Sequence, residues 1–89
     1  MITEKDKASI RKISAKYHLK RVLLFGSSID SSGEGRDIDL GVEGISPHDF
    51  FRFYGELMLV LSKPVDIVDL SKRSKFARLI EEEGVAIYG

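Results

Sequence analysis

Two aspartates separated by one residue are the side chains of this 89-residue sequence with the clearest chemical potential. Asp37 and Asp39 lie in an apolar segment that is typical of a strand. Because side chains alternate between the faces of a strand, these two carboxylates point the same way. Adjacent carboxylates repel each other unless a cation lies between them, and Mg²⁺, which prefers oxygen ligands and often keeps a bound phosphate, suits such a pair. The pair therefore predicts a divalent-metal site.

A glycine-serine pair precedes the two acids and follows a short apolar segment at 21–25. Gly26 allows close backbone approach, and Ser27 adds a hydroxyl to the nearby amide N–H groups. Turns of this kind bind phosphate. We therefore predict that metal and phosphate bind together between Gly26-Ser27 and the acid pair.

A third acid, Asp66, lies in a later apolar segment at 65–70. If this segment pairs beside the strand that carries Asp37 and Asp39, all three carboxylates stand on one face of the sheet. Three carboxylates on neighbouring strands can hold two divalent ions, which would clamp a triphosphate. Asp66 could also accept a proton from an attacking oxygen. Asp69 has the opposite strand parity, which favours a role in a turn or cap.

The elements that must position these residues follow from periodicity and capping signals. Thr3 and Asp6 resemble a capping box at the start of a helix. Helices are predicted at 4–17, at 47–62, and from Ser71 or Ser74 to about Glu83, and strands at 21–25, 36–42, 65–70 and 85–88. This order, αββαβαβ, predicts one α+β domain over residues 1–89, with a small mixed sheet and helices mainly on one face.

Two of the predicted helices carry testable burial patterns. The last helix should bury Phe76, Leu79 and Ile80. The middle helix is apolar almost all round, so it should be covered on more than one side. One cover is the sheet, and the other is either the rest of the core or a partner chain in a homo- or hetero-oligomer.

Composition excludes several classes of function. The sequence has no cysteine, no apolar run long enough to cross a bilayer, and a charged N-terminus without a secretory signal, which together favour the cytoplasm. The formal net charge of zero argues against direct nucleic-acid binding. Residues 25–70 hold nine acids against three bases, which fits a cation site, whereas residues 1–24 are basic and form either a solvated helix surface or a contact for an acidic partner.

The motifs together resemble a known family. Gly26-Ser27, nine intervening residues, Asp37-Ile38-Asp39 and the downstream Val65-Asp66-Ile67-Val68 resemble the nucleotidyltransferase fold of the DNA polymerase beta superfamily. The phrase Leu24-Phe25-Gly26-Ser27 and the ending Glu83-Gly84-Val85-Ala86-Ile87-Tyr88 look like its minimal nucleotidyltransferases, the MNT type. The resemblance covers nearly the whole chain.

The resemblance implies a role for each site residue. Gly26 and Ser27 would hold the β- and γ-phosphates of ATP, and Arg36 would supply a positive charge there or else be an exposed residue before the strand. Asp37, Asp39 and Asp66 would be the metal ligands for two Mg²⁺ ions, and Asp66 would also be the base. A nucleotidyl group would pass to an acceptor, with release of pyrophosphate.

The resemblance also implies a partner, because MNT proteins are commonly antitoxins of HEPN-domain ribonuclease toxins and adenylylate a toxin tyrosine. We expect the acceptor to be supplied in trans. Two alternatives stay open. One is a catalytically weak antitoxin that neutralises its HEPN partner by binding, and the other is a nucleotidyltransferase with a small-molecule or RNA acceptor. The three acids favour transfer to the toxin over the first alternative, and the neutral charge counts against the second.

Overall fold

Seven helices and strands form the part of the chain that the computed structural model describes, residues 2–26, 37–72 and 74–89. They are α1 (Glu4–Lys16), β1 (Arg21–Phe25), β2 (Ile38–Glu43), α2 (Pro47–Val60), β3 (Val65–Asp69), α3 (Lys75–Glu83) and β4 (Val85–Tyr88). The predicted order αββαβαβ and the α+β class are confirmed. Boundaries differ by one or two residues: α2 ends before Ser62 because the backbone is already extended at Leu61.

The four strands form one mixed sheet in the order β3-β2-β1-β4. β1 pairs antiparallel with both β2 and β4, whereas β2 and β3 pair in parallel. Parallel neighbours cannot be joined by a tight turn, so α2 forms the crossover that returns the chain to the start of β3. The strand that carries Asp66 therefore lies beside the strand that carries Asp39.

The larger core lies between one face of the sheet and the helices α1 and α2. Alternation along β2 sends Ile38, Leu40 and Val42 into this core, where they are almost fully buried. Phe53 and Leu57 of α2 are completely buried against them. The opposite side of α2 is exposed, so within the described residues the predicted second cover of this helix is not found.

A smaller core lies on the other face of the sheet, under α3. It is formed by Leu23, Leu70, Ala77 and Ile80. A Cβ added to Gly41 would lie 2.9 Å from Cγ2 of Ile80, so the bare glycine lets α3 approach the sheet closely. Two of the three helices thus share one face, which confirms the predicted layering, and α3 covers part of the other.

The predicted buried stripe of α3 is wrong in two of its three members. Ile80 is buried, but Phe76 and Leu79 are 52% and 46% exposed. Ala77 and Ile80 are one turn apart and both face the sheet, which rotates their neighbours Phe76 and Leu79 toward the edges of this short helix. Phe76 still makes an edge-to-face contact with Phe25, with ring centroids 5.8 Å apart.

The predicted capping box of α1 is replaced by a longer-range contact. Thr3 caps the helix, since its Oγ1 accepts a hydrogen bond from the Asp6 amide at 3.1 Å. The Asp6 carboxylate is buried and accepts bonds from the amide and the hydroxyl of Ser62, at 3.3 and 2.5 Å. A buried carboxylate needs such partners, and these bonds fasten the segment between α2 and β3 to α1.

Within the described ranges, no helix has the length and apolar character needed to cross a membrane.

Candidate functional site

Two of the predicted site acids are direct neighbours across the parallel strand pair. The register of β2 and β3 sets Ile38 beside Val65 and Asp39 beside Asp66. Register partners project from the same face, and neighbouring strands lie about 4.8 Å apart. Asp37 lies two residues before Asp39, directly before β2 begins. The pairing on which the placement of Asp66 depended is therefore present.

Two hydrogen bonds hold the start of β3 in this register. The Ile38 amide donates to the carbonyl of Pro64 at 2.8 Å, and the Tyr54 hydroxyl donates to the carbonyl of Val65 at 2.6 Å. The first bond ties β3 to β2, and the second ties it to α2. Both lie within two residues of Asp66, so they fix the backbone that carries its carboxylate.

Gly26 lies against the carboxylate of Asp39. Phe25 is the register partner of Asp39 across β1 and β2, and Gly26 follows it with φ +60°. A Cβ added at Gly26 would lie 2.7 Å from Oδ2 of Asp39, closer than two such atoms can come. Glycine suits this position for two reasons: the backbone is left-handed, and a side chain here would displace the carboxylate.

The chemistry of these side chains suits a hard cation. Asp37 and Asp39 are half-buried, Asp66 is exposed, and their oxygens are the ligands that Mg²⁺ prefers. In the described ranges, no three His, Cys, Asp or Glu side chains are grouped closely enough to hold one ion. The metal and catalytic roles of Asp37, Asp39 and Asp66 stay predictions. Ser27 and Arg36 lie outside the described residues, so their predicted phosphate contacts stay predictions too.

An aromatic pair beside the acids was missed by the sequence reasoning. Phe25, the register partner of Asp39, packs edge-to-face on Phe76 of α3. Half of the Phe76 surface is exposed, so part of this apolar ring lies open on the same side of the sheet as Asp39. The helical pattern had assigned Phe76 to the core. Phe76 directly precedes Ala77, which is the smaller of the two buried residues of α3, Ala77 and Ile80. This small neighbour is the signal that could have placed Phe76 at the edge of the helix.

Other acids on the sheet have structural partners. Glu43 shares the strand face of Asp39 but lies at the opposite end of β2, where its Oε1 accepts from Nε of Arg21 at 2.7 Å. This guanidinium lowers the pKa of Glu43, and Arg21 also pairs with Glu81 of α3. Asp69 has the predicted turn role: its Oδ1 accepts from the amide and hydroxyl of Ser71 at 2.9 and 2.5 Å. Neither acid lies with the predicted metal ligands.

Comparison with known families assigns the chain. The family described as polymerase beta, nucleotidyltransferase matches residues 8–89. The match includes both strands that carry the acids and the Gly26 bend, and the chain belongs to this family. Comparison with curated protein sequences gives no match.

Solved structures with the same fold come from toxin-antitoxin systems. A crystal structure described as a toxin-antitoxin with AMP-PNP is 23% identical, with a TM-score of 0.77 over 93% of this chain and 73% of that chain. A second, described as the toxin-antitoxin MntA-HepT, is 22% identical, with a TM-score of 0.74 over 98% of this chain and 73% of that one. At this identity the likeness establishes the nucleotidyltransferase fold.

Proposed function

We propose that this chain is a Mg²⁺-dependent nucleotidyltransferase that transfers AMP from ATP to a tyrosine hydroxyl of a HEPN-domain toxin, and so acts as its antitoxin in the cytoplasm. The observation that carries the proposal is the register of β2 and β3, which sets Asp66 beside Asp39 on one face of the sheet. Family membership supports nucleotidyl transfer, and the fold shared with toxin-antitoxin structures supports the partner. Residues 1–89 would act as a single domain.

The residues have distinct roles in this proposal. Asp37 and Asp39 would hold Mg²⁺, with Asp66 completing the ligand set, and the bound ions would offset the charge of the triphosphate. The close contact of Gly26 with the Asp39 carboxylate brings the bend to the metal ligands, so Gly26 and Ser27 would hold the phosphates beside them. Arg36 would supply a further positive charge to the phosphates.

Asp66 would act as the base because it is the exposed member of the three acids. It would take the proton of the tyrosine hydroxyl as the tyrosine oxygen bonds to the α-phosphorus. The bond between the α-phosphorus and the bridging oxygen breaks at the same centre, and pyrophosphate leaves with that oxygen. The products would be a tyrosine-AMP ester and pyrophosphate.

Phe76 would extend the site toward the nucleobase. Its exposed ring stands on the face of the sheet that carries Asp39 and is held in place by Phe25. Bases stack on such aromatic surfaces without requiring a particular sequence of donors and acceptors. The Phe76 ring would therefore bind the adenine, while the acids bind the metal and phosphates.

The test needs the partner that the proposal expects, a HEPN-domain protein from the neighbouring reading frame. The chain is incubated with this protein, α-labelled ATP and Mg²⁺. We expect label on the partner with the wild type and none with Asp37→Ala/Asp39→Ala. Asp69→Asn is the matched control, because Asp69 lies on β3 but is occupied by Ser71. Label unchanged in the double variant would refute the proposed site. Full neutralisation of the toxin by that variant would instead support an antitoxin that acts by binding.

A further inference from the structure

The outer face of α2 is apolar and exposed. This face consists of Phe51, Gly55, Met58 and Leu59, at positions that share one side of a helix. Phe51 and Leu59 are 81% and 86% exposed, and Met58 is 63% exposed. A contiguous apolar surface on the order of several hundred Å² marks an interaction site on a soluble protein. The α2 outer face is therefore a candidate docking surface.

Gly55 indicates what kind of element docks there. A glycine inside a helix lowers helix stability, and a Cβ added at Gly55 would meet no atom within 4 Å. Packing among the described residues therefore gives no reason for the missing side chain. A bare backbone between Phe51 and Leu59 lets a second helix cross α2 at a short distance, with the flanking apolar side chains on either side of it.

The charge around the α2 outer face selects the partner. Of the two shallow hollows beside this face, Arg52 lines one and Lys12 lines the other, and Glu56 lines both. Glu56 is already paired with Lys16, at 2.7 Å between Nζ and Oε1. The rim thus has an excess of positive charge, which favours a helix with an acidic flank. Two copies of this chain would instead bring two basic rims together.

The α2 outer face is continuous with the predicted site. Met58 also lines a hollow of about 500 Å³ that passes Leu61 and Pro64 and reaches Asp66. The hollow therefore runs from the docking surface to Asp66 on β3, which is an edge strand of the sheet. A segment that passes this edge reaches the opposite face, on which the carboxylate of Asp66 stands beside Asp39. A segment of a protein seated on α2 could follow this hollow to Asp66 without unfolding the sheet.

From these observations we infer that the α2 outer face binds an amphipathic helix of the acceptor protein, whose acidic flank meets Lys12 and Arg52. The hollow from Met58 to Asp66 then receives the segment that carries the acceptor hydroxyl. This inference rests on the proposed function, because it assigns a docking role to the protein that accepts the nucleotide. It explains how an 89-residue chain selects one hydroxyl among many.

The first experiment uses biolayer interferometry to measure binding of the HEPN-domain protein that the proposed function expects as the partner. Leu59→Glu should raise Kd at least about tenfold, because it buries a charge in the centre of the interface. Leu79→Glu is the matched control, since Leu79 is an exposed leucine on α3, and it should change Kd less than about twofold. Both variants should keep the wild-type circular dichroism, because neither leucine belongs to the core.

The second experiment tests the charge of the rim. Lys12→Glu/Arg52→Glu should weaken binding and reverse its dependence on salt, whereas Lys75→Glu on α3 should do neither. Gly55→Ala should raise the melting temperature, and Gly55→Met should weaken partner binding by preventing close approach of a helix. Wild-type affinity in both the Leu59→Glu and the Gly55→Met variants would overturn the docking inference.

Label transfer and light scattering separate the remaining outcomes. With labelled ATP, Leu59→Glu should raise the KM for the partner and leave kcat within about twofold, as expected for docking without chemistry. Binding that is sensitive to Leu59→Glu, without any label from the wild type, would refute nucleotide transfer but support the docking surface. A wild-type dimer in light scattering that Leu59→Glu dissociates would overturn the inference in favour of a second copy.

Discussion

The substitution Gly26→Ala tests two separate reasons for glycine at this position. One is the backbone conformation that the fold needs, and the other is the position of the Asp39 carboxylate in the site. The left-handed backbone at φ +60° costs an alanine about 1–2 kcal/mol, so the free energy of unfolding should fall by that amount. The added Cβ would lie 2.7 Å from Oδ2 of Asp39, so the carboxylate must retreat by roughly 0.7 Å to reach an ordinary contact near 3.4 Å. Displacements approaching 1 Å can reduce catalysis about a hundredfold, so we expect a tenfold or larger loss of Mg²⁺-dependent ATP binding and label transfer.

Gly44→Ala is the control for this prediction. Gly44 has φ +96°, and its added Cβ would lie 2.6 Å from the backbone nitrogen of Lys20, at the other end of β2 from the acids. Because a backbone atom cannot swing aside, we expect a larger destabilisation than for Gly26→Ala, roughly 2–3 kcal/mol, with unchanged ATP binding by the folded protein.

Both variants should be assayed well below their melting temperatures, with unfolding followed in urea and ATP binding by calorimetry. We expect opposite rankings: Gly44→Ala loses more stability, and Gly26→Ala loses more ATP affinity. ATP affinity of Gly26→Ala within twofold of the wild type would refute the assignment of the Asp39 carboxylate to the nucleotide site. An equal loss of affinity in both variants would refute the claim that position 26 acts locally.

Three further changes probe the fold and the site. Ser14 is fully buried and its hydroxyl has no hydrogen-bond partner among the described residues, so Ser14→Ala should leave stability unchanged or raise it by up to about 1 kcal/mol in urea unfolding. Because Arg21 lowers the pKa of Glu43 in the folded chain, this pair stabilises the protein above the ordinary glutamate value of 4.5 and the gain is lost as the pH falls below it. Glu43→Gln should therefore lower the melting temperature at pH 7 but have progressively less effect below about pH 4, and a constant difference at all pH values would contradict this. Phe76→Ala should weaken ATP binding by about 1–3 kcal/mol in calorimetry, whereas Leu79→Ala should not, and equal affinities would exclude base stacking on Phe76.

The elements and their faces could be predicted from the sequence because they depend on local patterns. Strand parity alone predicted that Asp37 and Asp39 share a face and that Asp69 does not share the face of Asp66, and Asp69 does bind Ser71 in a turn. From the sequence, the pairing of β3 with β2 could only be stated as a condition for bringing Asp66 to the other two acids. It depends on the length of the α2 crossover and on long-range bonds such as that from Tyr54 to Val65, which leave no periodic trace in the sequence.

The errors arose where tertiary packing overrode a local signal. The helical pattern placed Phe76 and Leu79 in the core, but the close approach of α3 at Gly41 leaves room there only for Ala77 and Ile80. The capping motif assigned Asp6 to its own helix, yet its carboxylate binds Ser62, which is 56 residues away in the sequence. Such partners can be found only once the fold brings the two segments together.

Few contacts hold α3 on the sheet. We therefore expect the two faces of the sheet to lose their helices at different points as the protein is destabilised. This nine-residue helix is too short to persist alone, and three glutamates in its last turn oppose its dipole. It is fastened mainly by Ala77, Ile80 and the ion pair from Arg21 to Glu81. The hydrogen bonds between β1, β2 and β3 do not involve α3, so we expect this helix to open before the acids lose their alignment. Asp39 and Asp66 thus lie on strands joined by many long-range hydrogen bonds, whereas Phe76 lies on the element that we expect to open first.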